Sequence, residues 1–264
     1  MTEFLGSLLV HSDSGRALLA AKRLGLGLTS DDLVGSLLQL AADIAEKDSR
    51  ELVFPAFNYD FGVTRSFDVE NDPVQVGGLP ERLRAEGRFT RTPVPFFSFL
   101  YEGTEFSTDF ENLDPFGAHS VFDLISGNAG SILMLGVGLE AFTFIHHIES
   151  SVPGGPVYRY RKRFSGVVQR HGNQVSCTVE MHVRPKGFSI DYDWPRLQAE
   201  LFEVGALRFL ERTGPLILVS ATGAKDYLLG KLAENPLHLL TRKNQAEVAG
   251  LLHGRERLSI EQFE

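Results

Sequence analysis

The chain has 264 residues, of which 43% are hydrophobic and 23% charged, and its formal net charge is −8 at pH 7. This composition is that of a folded globular protein, and the acidic balance disfavours nucleic acid as a partner. No apolar run reaches the roughly 20 residues of a membrane span, and the acidic start around Glu3 is unlike a secretory signal. A single cysteine, Cys177, leaves no internal disulfide, so we expect a reducing, cytoplasmic setting.

The first part of the chain predicts one buried strand followed by two helices. LGSLLVH has the apolar run of a buried strand, and HSDSGRALLAAKRLG predicts a loop and then a helix. Ser12, Asp13 and Ser14 are the cap candidates of that helix. TSDDLVGSLLQLAADIAEK predicts the second helix, because five of its apolar residues share one face. These five residues are Leu33, Leu37, Leu38, Ala41 and Ile44.

The middle of the chain predicts three strands with a long loop between the first two. ELVFPAF, PFFSFLYEG and SILMLGVG have the apolar patterns of strands, and SILMLGVG is the clearest buried one. NYDFGVTRSFDVENDPVQ predicts a long polar and aromatic loop, and GGLPERLRAEG predicts a short helix. This alternation of strands and helices indicates an α/β fold with a largely buried, mixed sheet.

The last part of the chain predicts a hairpin and two helices. VYRYRKRFSGVVQR and NQVSCTVEMHV flank the turn HGN, and the alternating pattern places Cys177 in a strand as a small buried residue. WPRLQAELFEVGALRFLER and AKDYLLGKLAENPLHLL each predict a helix. We expect one domain over 1–264, with the turn SVPGGP at 151–156 as the best candidate for a boundary within it.

Two loops that follow strands have the small residues of phosphate-binding turns. In HSDSGR, a helix N-terminus with Ser12, Ser14 and Arg16 suits a phosphate, although the same residues also serve as helix caps. GVGLEA, at 136–141, fits a G-x-G-x-x-A dinucleotide fingerprint, but YRYRK stands where that motif has its acidic residue. We therefore interpret GVGLEA as a sharp turn at a strand end.

The stretch TFIHHIES is the most compact acid–base group in the chain. If a helix begins near Thr143, His146 and Glu149 share a face while His147 points elsewhere. A carboxylate beside an imidazole suits a general base. A metal site and a structural histidine remain open on spacing alone, but the other histidines show no matching ligand spacing. A serine hydrolase is disfavoured because no G-x-S-x-G elbow is present.

Several segments, taken in order, resemble the aminoglycoside 3-N-acetyltransferases, also called the antibiotic N-acetyltransferase family. The resemblance runs through LLVHSDS, LVFPAFNYDF, SFDVENDPVQVGGLPERLR, FTRTPVPFFSF, NLDPFGAHSVFDLI, SILMLGVGLEAFTFIHHIES and the VPYR-like VYRYRKRF. Each motif is short, but their order and spacing extend the resemblance over nearly the whole chain.

The resemblance implies an α/β/α sandwich with a central mixed sheet and N-acyltransferase activity. It implies acetyl-CoA or another acyl-CoA as co-substrate, no metal, and an amine-bearing small molecule such as an amino sugar as acceptor. The family's T-x-x-H-x-x-E segment corresponds to Thr143, His146 and Glu149, with His146 as general base and Glu149 in support of the site. The sequence leaves a homodimer open.

The resemblance also implies binding residues at three loops. At the first loop, the resemblance implies that His11, Ser12 and Asp13 bind the coenzyme. Ser14 and Arg16 join them as coenzyme-binding candidates because HSDSGR suits a phosphate. The coenzyme-binding residues implied at a strand-entry loop are Arg91 and Thr92. The acceptor-binding residues implied are Tyr59, Asp60, Phe67 and Asp68.

Three departures from the family pattern bear on the acceptor more than on the fold. Val94 stands where R-S-x-H-P commonly has its histidine, Asp13 replaces a serine, and FFSFLYE is unusually aromatic. An aromatic wall suits a bulkier acyl chain, a deoxy sugar or a nucleotide-linked amino sugar. Antibiotic resistance and a biosynthetic role both stay open, as does a non-catalytic relative that binds CoA or sugar.

Overall fold

The computed structural model describes residues 6–23, 51–103, 107–210 and 216–263, together with 35, 39, 41 and 42. The strands within these residues are β1 (Leu8–Ser12), β2 (Leu52–Pro55), β3 (Ser66–Asp68), β4 (Thr90–Arg91), β5 (Phe99–Tyr101), β6 (Ser131–Leu135), β7 (Tyr160–Arg170), β8 (Asn173–Val183), β9 (Leu207–Phe209) and β10 (Leu216–Ser220). The α-helices are α1 (Ser14–Arg23), α2 (Phe61–Thr64), α3 (Gly78–Glu86), α4 (Val121–Gly127), α5 (Ile145–Ser151), α6 (Trp194–Glu203), α7 (Ala221–Glu234) and α8 (Arg242–Leu252). Short 3₁₀ turns span Leu139–Ala141 and Ile260–Gln262.

Seven of these strands form one mixed sheet in the order β4-β5-β2-β1-β6-β10-β9. The central strand β1 pairs in parallel with β2 on one side and with β6 on the other. The outer strands pair antiparallel. The predicted mixed sheet is confirmed, and its most apolar strands, β2 and β6, are buried along their whole length.

Alternate residues of the sheet feed two separate hydrophobic cores, one on each face. In β1, Leu8 and Val10 pack into a core with helices α1 and α3, whereas Leu9 packs into the larger core with α4, α5, α6 and α7. Helices therefore cover both faces of the sheet, which confirms the expected α/β/α sandwich. No described helix is long and apolar enough to cross a membrane.

The three central parallel strands place their following loops at one edge of the sheet. The chain passes from β1 to β2 on one side and later returns to β6 on the other side of β1. In α/β sheets, ligands bind in the crevice outside the carboxyl ends of the strands where the strand order reverses. The residues after Ser12 and after Leu135 lie at that point, because these two residues are paired in register.

A second sheet of three strands, β3-β7-β8, contains the predicted hairpin. Its two-residue turn has His171 at φ 50° and Gly172 at φ 75°, as a type I′ turn requires. Strand β3 and helix α2 lie inside the stretch predicted as a long loop, so that prediction was wrong. Elements of three and four residues are too short to show a hydrophobic period.

One predicted helix is shorter than expected and another lies almost entirely outside the described residues. Helix α6 ends at Glu203, and the chain turns at Gly205, with φ 73°, into strand β9. The single helix predicted for WPRLQAELFEVGALRFLER was therefore wrong in its second half. The described part of TSDDLVGSLLQLAADIAEK is limited to residues 35, 39, 41 and 42.

Candidate active site

Helix α5 holds the predicted pair, His146 and Glu149, on one face. The helix begins at Ile145, and its i, i+3 spacing brings His146 Nδ1 to 2.9 Å from Glu149 Oε2. The Glu149 side chain is 1% exposed, whereas the His146 side chain is 28% exposed. The carboxylate is therefore inside the protein, and the imidazole forms the boundary with solvent.

Three further side chains surround the Glu149 carboxylate. Tyr158 and Tyr192 donate their hydroxyl protons to Oε1 at 2.7 and 2.6 Å, and Arg159 Nε lies 3.1 Å from Oε2 as an ion pair. Burial alone would raise the pKa of Glu149, but the Arg159 charge and the hydrogen bonds from His146 and Tyr192 lower it to about 2. Glu149 is therefore ionised at neutral pH and accepts hydrogen bonds only.

The sequence motifs had predicted no role for these three partners. Tyr158 and Arg159 lie in VYRYRKRF, which was quoted for the family resemblance, and that motif was the available signal. Tyr192 is 46 residues from His146 and lies in no quoted motif. Its contact with the pair depends on the tertiary fold.

The surroundings of His146 favour its neutral form. Burial lowers the pKa of His146 below its ordinary 6.5 and Arg159 lowers it further, against the opposing effect of Glu149. Glu149 is an acceptor, so Nδ1 carries the ring hydrogen and the lone pair is on Nε2. Among the described residues, no protein group bonds to Nε2. The ring is thus ready to accept a proton from a bound molecule.

The neighbouring His147 has a structural role. It is 1% exposed, and its Nδ1 donates to the Phe116 carbonyl oxygen at 2.8 Å while Nε2 lies 3.4 Å from Ser126 Oγ. Burial lowers the pKa of His147 to about 4. Within the described part of the chain, no three His, Cys, Asp or Glu residues are grouped as a metal site requires.

The crevice beside β1 contains polar atoms without partners. His11 Nε2, Ser12 Oγ and Ser14 Oγ are buried and have no hydrogen-bond partner among the described residues. Asp13 is the cap of α1, because its Oδ1 accepts from the Arg16 N–H at 3.0 Å. Buried polar groups without partners are uncommon, so three of them together mark a position where a bound molecule would supply the missing bonds.

Two helix N-termini meet at this crevice. Helix α1 begins at Ser14, and α3 begins at Gly78, whose missing Cβ would lie 4.0 Å from Ser14 Oγ. Gly77, at φ 106°, approaches the Ser12 carbonyl oxygen so closely that a Cβ would lie 3.3 Å from it. Helix N-termini and hydroxyl groups attract anions. This donor set fits the diphosphate of a coenzyme A.

Gly136 closes the other side of the crevice. Its φ is 76°, and a Cβ there would lie 2.5 Å from Ala17 N and 2.7 Å from the Asp13 carbonyl oxygen. Only glycine allows the chain after β6 to pass so near the first turn of α1. This confirms the interpretation of GVGLEA as a sharp turn at a strand end.

Arg91 and Thr92 lie in the protein interior. Arg91 is 5% exposed and donates to the carbonyl oxygens of Ala56 and Asp72 and to Ser98 Oγ. Thr92 is 0% exposed, and its Oγ1 accepts from the Phe99 N–H. Both side chains brace strands of the sheet. This placement argues against the direct coenzyme contact expected of them.

The four predicted acceptor residues separate into two pairs. Tyr59 is 47% exposed, and Asp60 is also exposed in the loop after β2, at the carboxyl edge of the sheet. Phe67 is 0% exposed beneath the Arg91 guanidinium. Asp68 accepts from the Glu70 and Asn71 N–H groups of its own turn. The first pair is therefore accessible to an acceptor, while burial and the local turn argue against contact by the second pair.

Aromatic rings connect the Tyr59 loop to His146. The Tyr59 and Phe97 ring centroids are 5.9 Å apart, those of Phe97 and Phe116 are 4.5 Å apart, and those of Phe116 and His146 are 5.2 Å apart. On the other side of His146, the Tyr192 centroid is 6.2 Å away. The His146 ring therefore lies between the Phe116 ring and the Tyr192 ring.

The fold is that of solved aminoglycoside acetyltransferases. The chain is 17% identical to AAC(3)-Xa, with a TM-score of 0.66 and coverage of 89% of this chain and 87% of that one. It is 20% identical to AAC-IIIb in a binary complex with CoASH, with a TM-score of 0.66 over 88% and 91% of the two chains. It is 20% identical to a mutant of AAC(3)-IVa in complex with gentamicin, with a TM-score of 0.65 over 91% and 86%.

The sequence defines the family more specifically than these structures do. The aminoglycoside 3-N-acetyltransferase profile matches residues 42–223, which include His146, Glu149 and all three further partners of that carboxylate. No curated protein matches the chain in sequence. The chain belongs to the aminoglycoside 3-N-acetyltransferase family.

Proposed function

We propose that the protein transfers an acyl group from an acyl-CoA, with acetyl-CoA as the first choice, to an amino group of an aminoglycoside or another amino sugar. The observation that carries this proposal is the position of His146: its Nδ1 is bonded to buried Glu149, and its side chain is 28% exposed. Family membership supports the reaction class.

His146 serves as the general base in this proposal. A bound acyl-CoA supplies the acyl group as a thioester. His146 Nε2 takes the proton from the amine as the nitrogen bonds to the thioester carbon, and it returns that proton to the departing sulfur as the C–S bond breaks. Glu149 keeps the ring oriented and stabilises its protonated form. A positioned base contributes about 10²–10⁴-fold to the rate, and no protein nucleophile is needed.

The crevice beside β1 is the proposed coenzyme site. Ser12 and Ser14 would donate to the diphosphate together with the N-terminal amides of α1 and α3, and His11 Nε2 would gain a partner there. The related AAC-IIIb is recorded with CoASH, which supports this choice of ligand. The crevice and the His146 loop follow adjacent parallel strands, β1 and β6, so both open at the same edge of the sheet.

We propose that residues 1–264 act as one acyltransferase domain. The stretch 151–156, the best candidate for a boundary in the sequence, lies between Glu149 and its partners Tyr158 and Arg159. A division there would separate the two halves of one buried ion pair, so the turn is internal to the site.

The acceptor would enter between the Tyr59 loop and His146. Gentamicin bound to a mutant of AAC(3)-IVa supports a polyamine sugar. A nucleotide-linked amino sugar is the second candidate, because exposed Tyr59 and half-buried Phe97 offer aromatic faces for a nucleobase, and Phe116 connects them to His146. Glu149 is buried and Asp68 accepts several hydrogen bonds from its own turn. Asp60 is the exposed carboxylate of the three, with one long bond of 3.5 Å from Asn58 Nδ2, so it is the candidate for a cationic acceptor.

Free-thiol release from acetyl-CoA tests the proposal with a panel of aminoglycosides and nucleotide-linked amino sugars. We expect turnover with one class, lost in His146→Asn and retained in the matched control His171→Asn. The control histidine is 72% exposed and contacts Glu70 in the hairpin turn. CoA binding by calorimetry without turnover for any acceptor or acyl chain would favour a non-catalytic relative. Neither binding nor turnover would contradict the proposed function altogether.

A further inference from the structure

The hydrogen bonds of the Tyr192 hydroxyl restrict which nitrogen of His146 carries the proton. The Tyr192 hydroxyl accepts from Arg159 Nη2 at 2.8 Å and has one hydrogen, which it donates to Glu149 Oε1 at 2.6 Å. The same oxygen lies 3.3 Å from His146 Nδ1. Because its hydrogen is already donated, Tyr192 presents only a lone pair to the imidazole.

Both neighbours of His146 Nδ1 are therefore acceptors. Glu149 Oε2 lies 2.9 Å from this nitrogen on one side, and the Tyr192 oxygen lies on the other. In the other neutral tautomer, Nδ1 would have the lone pair. It would then face two acceptors, and both hydrogen bonds would be lost. The arrangement permits one neutral tautomer, with the hydrogen on Nδ1 and the lone pair on Nε2.

Arg159 keeps Glu149 ionised and His146 neutral. Its side chain is 10% exposed and contacts both Glu149 and the Tyr192 hydroxyl. A buried carboxylate without such a cation would take up a proton or draw one onto the imidazole. The cation balances the Glu149 charge, so the carboxylate does not need a protonated His146 as its counter-ion.

We propose that Arg159 and Tyr192 are positioning residues that fix His146 as the Nδ1–H tautomer and keep its Nε2 lone pair available. This proposal rests on the proposed role of His146 as the base. The two residues come from separate parts of the chain, one just before β7 and the other just before α6, and they meet at Glu149 on α5. The titratable groups that contact the His146 ring in the described structure are Glu149 and Tyr192, with Arg159 behind them.

Nuclear magnetic resonance of the histidine ring nitrogens tests the proposal without any substrate. The His146 signals are assigned by their loss in His146→Asn. In the wild type we expect the Nδ1–H tautomer at pH 7 and a titration midpoint below that of an exposed histidine. Arg159→Met should shift that midpoint upward. Arg161→Met is the matched control, because Arg161 is two residues along, 49% exposed, and paired with Glu180, so its loss should leave the His146 midpoint in place.

Two conservative variants keep the test decisive if Arg159→Met does not fold. Arg159→Lys retains the positive charge, so the His146 titration midpoint should stay near its wild-type value. Tyr192→Phe removes the bridging hydroxyl and should populate the second tautomer more than Tyr158→Phe does. Tyr158 donates to the same Glu149 oxygen, but among its described contacts it does not bond to His146 or Arg159.

The pH dependence of turnover gives the second readout. Because the base acts when deprotonated, kcat/KM falls as the pH drops through the His146 pKa, and an upward shift moves this acid limb to higher pH. Tyr192→Phe should lower kcat about 10–100-fold, the loss typical when a metal-ligating histidine loses its orienting partner. An Nε2–H tautomer in the wild type, or equal titrations in Arg159→Met and Arg161→Met, would overturn the proposal. Correct titrations without turnover for any acceptor would instead refute the proposed function alone.

Discussion

Replacement of Glu149 by glutamine tests how the buried carboxylate supports His146. The amide keeps the size of the side chain but exchanges one acceptor oxygen for an NH₂ donor. Placed toward His146, that donor turns the imidazole to the wrong tautomer. Placed toward the tyrosines, it opposes the hydroxyl donors of Tyr158 and Tyr192. In either orientation Arg159 is left with a partner that has no charge.

The expected losses follow from this geometry. In serine proteases the equivalent loss of the orienting carboxylate lowers kcat about 10⁴-fold through the wrong tautomer, and we expect a loss of about 10³–10⁴-fold here. The Arg159 charge and the hydrogen bonds from His146 and Tyr192 lower the pKa of Glu149 against the effect of burial, so the folded protein stabilises the charged carboxylate that glutamine lacks. Breaking a buried ion pair costs about 3–5 kcal/mol, so the free energy of unfolding should fall by about 3 kcal/mol.

Urea denaturation measures the stability loss, and free-thiol release measures kcat for the same preparation of Glu149→Gln. Glu180→Gln is a matched control, because Glu180 pairs with Arg161 and Arg163 on the exposed hairpin. A folded Glu149→Gln protein with kcat within tenfold of the wild type would refute the reasoning. A loss of activity equal to that of Glu180→Gln would refute it as well.

Three further predictions concern the coenzyme crevice, a glycine and the buried histidines. The double variant Ser12→Ala, Ser14→Ala should bind CoA at least tenfold more weakly in calorimetry, since a hydrogen bond to a charged group contributes about 1.5–3 kcal/mol. Unchanged affinity would place the diphosphate elsewhere. Gly136→Ala should lower the free energy of unfolding in urea more than its control Gly172→Ala. Both glycines have positive φ, but a Cβ at Gly172 meets nothing within 4 Å. Equal losses would contradict the close approach of Gly136 to the first turn of α1. Burial lowers the pKa of both His11 and His147 to about 4, so the free energy of unfolding should decline as the pH falls from about 6.5 toward 4. The decline should be less steep in His147→Gln. An identical slope would contradict the burial of that ring.

The parts of the fold and site that follow from local patterns could be predicted from the sequence. The buried strand in SILMLGVG was confirmed, and one of the three cap candidates, Asp13, is the cap, because a continuous apolar run and a cap depend on near neighbours. The hydrogen bond between His146 and Glu149 follows from their i, i+3 spacing on a helix.

The remaining features depend on contacts that sequence spacing does not reveal. Tyr192 reaches Glu149 from 43 residues away, and no local period marks that contact. Arg91 has the charge of a ligand-binding residue, yet its guanidinium is inside and bonded to carbonyl oxygens. Strand β9 follows helix α6 without a change in composition, and only the left-handed turn at Gly205 separates them.

The central claim is that His146 is the base in an acyl transfer, and single-turnover product formation tests it most directly. The wild type, His146→Asn and His171→Asn are each mixed with acyl-CoA and the acceptor identified by thiol release, and the N-acylated product is followed by mass spectrometry. We predict that His146→Asn forms product about 10²–10⁴-fold more slowly than the wild type, with CoA affinity retained, while His171→Asn matches the wild type. Equal product formation by His146→Asn and the wild type would contradict the account.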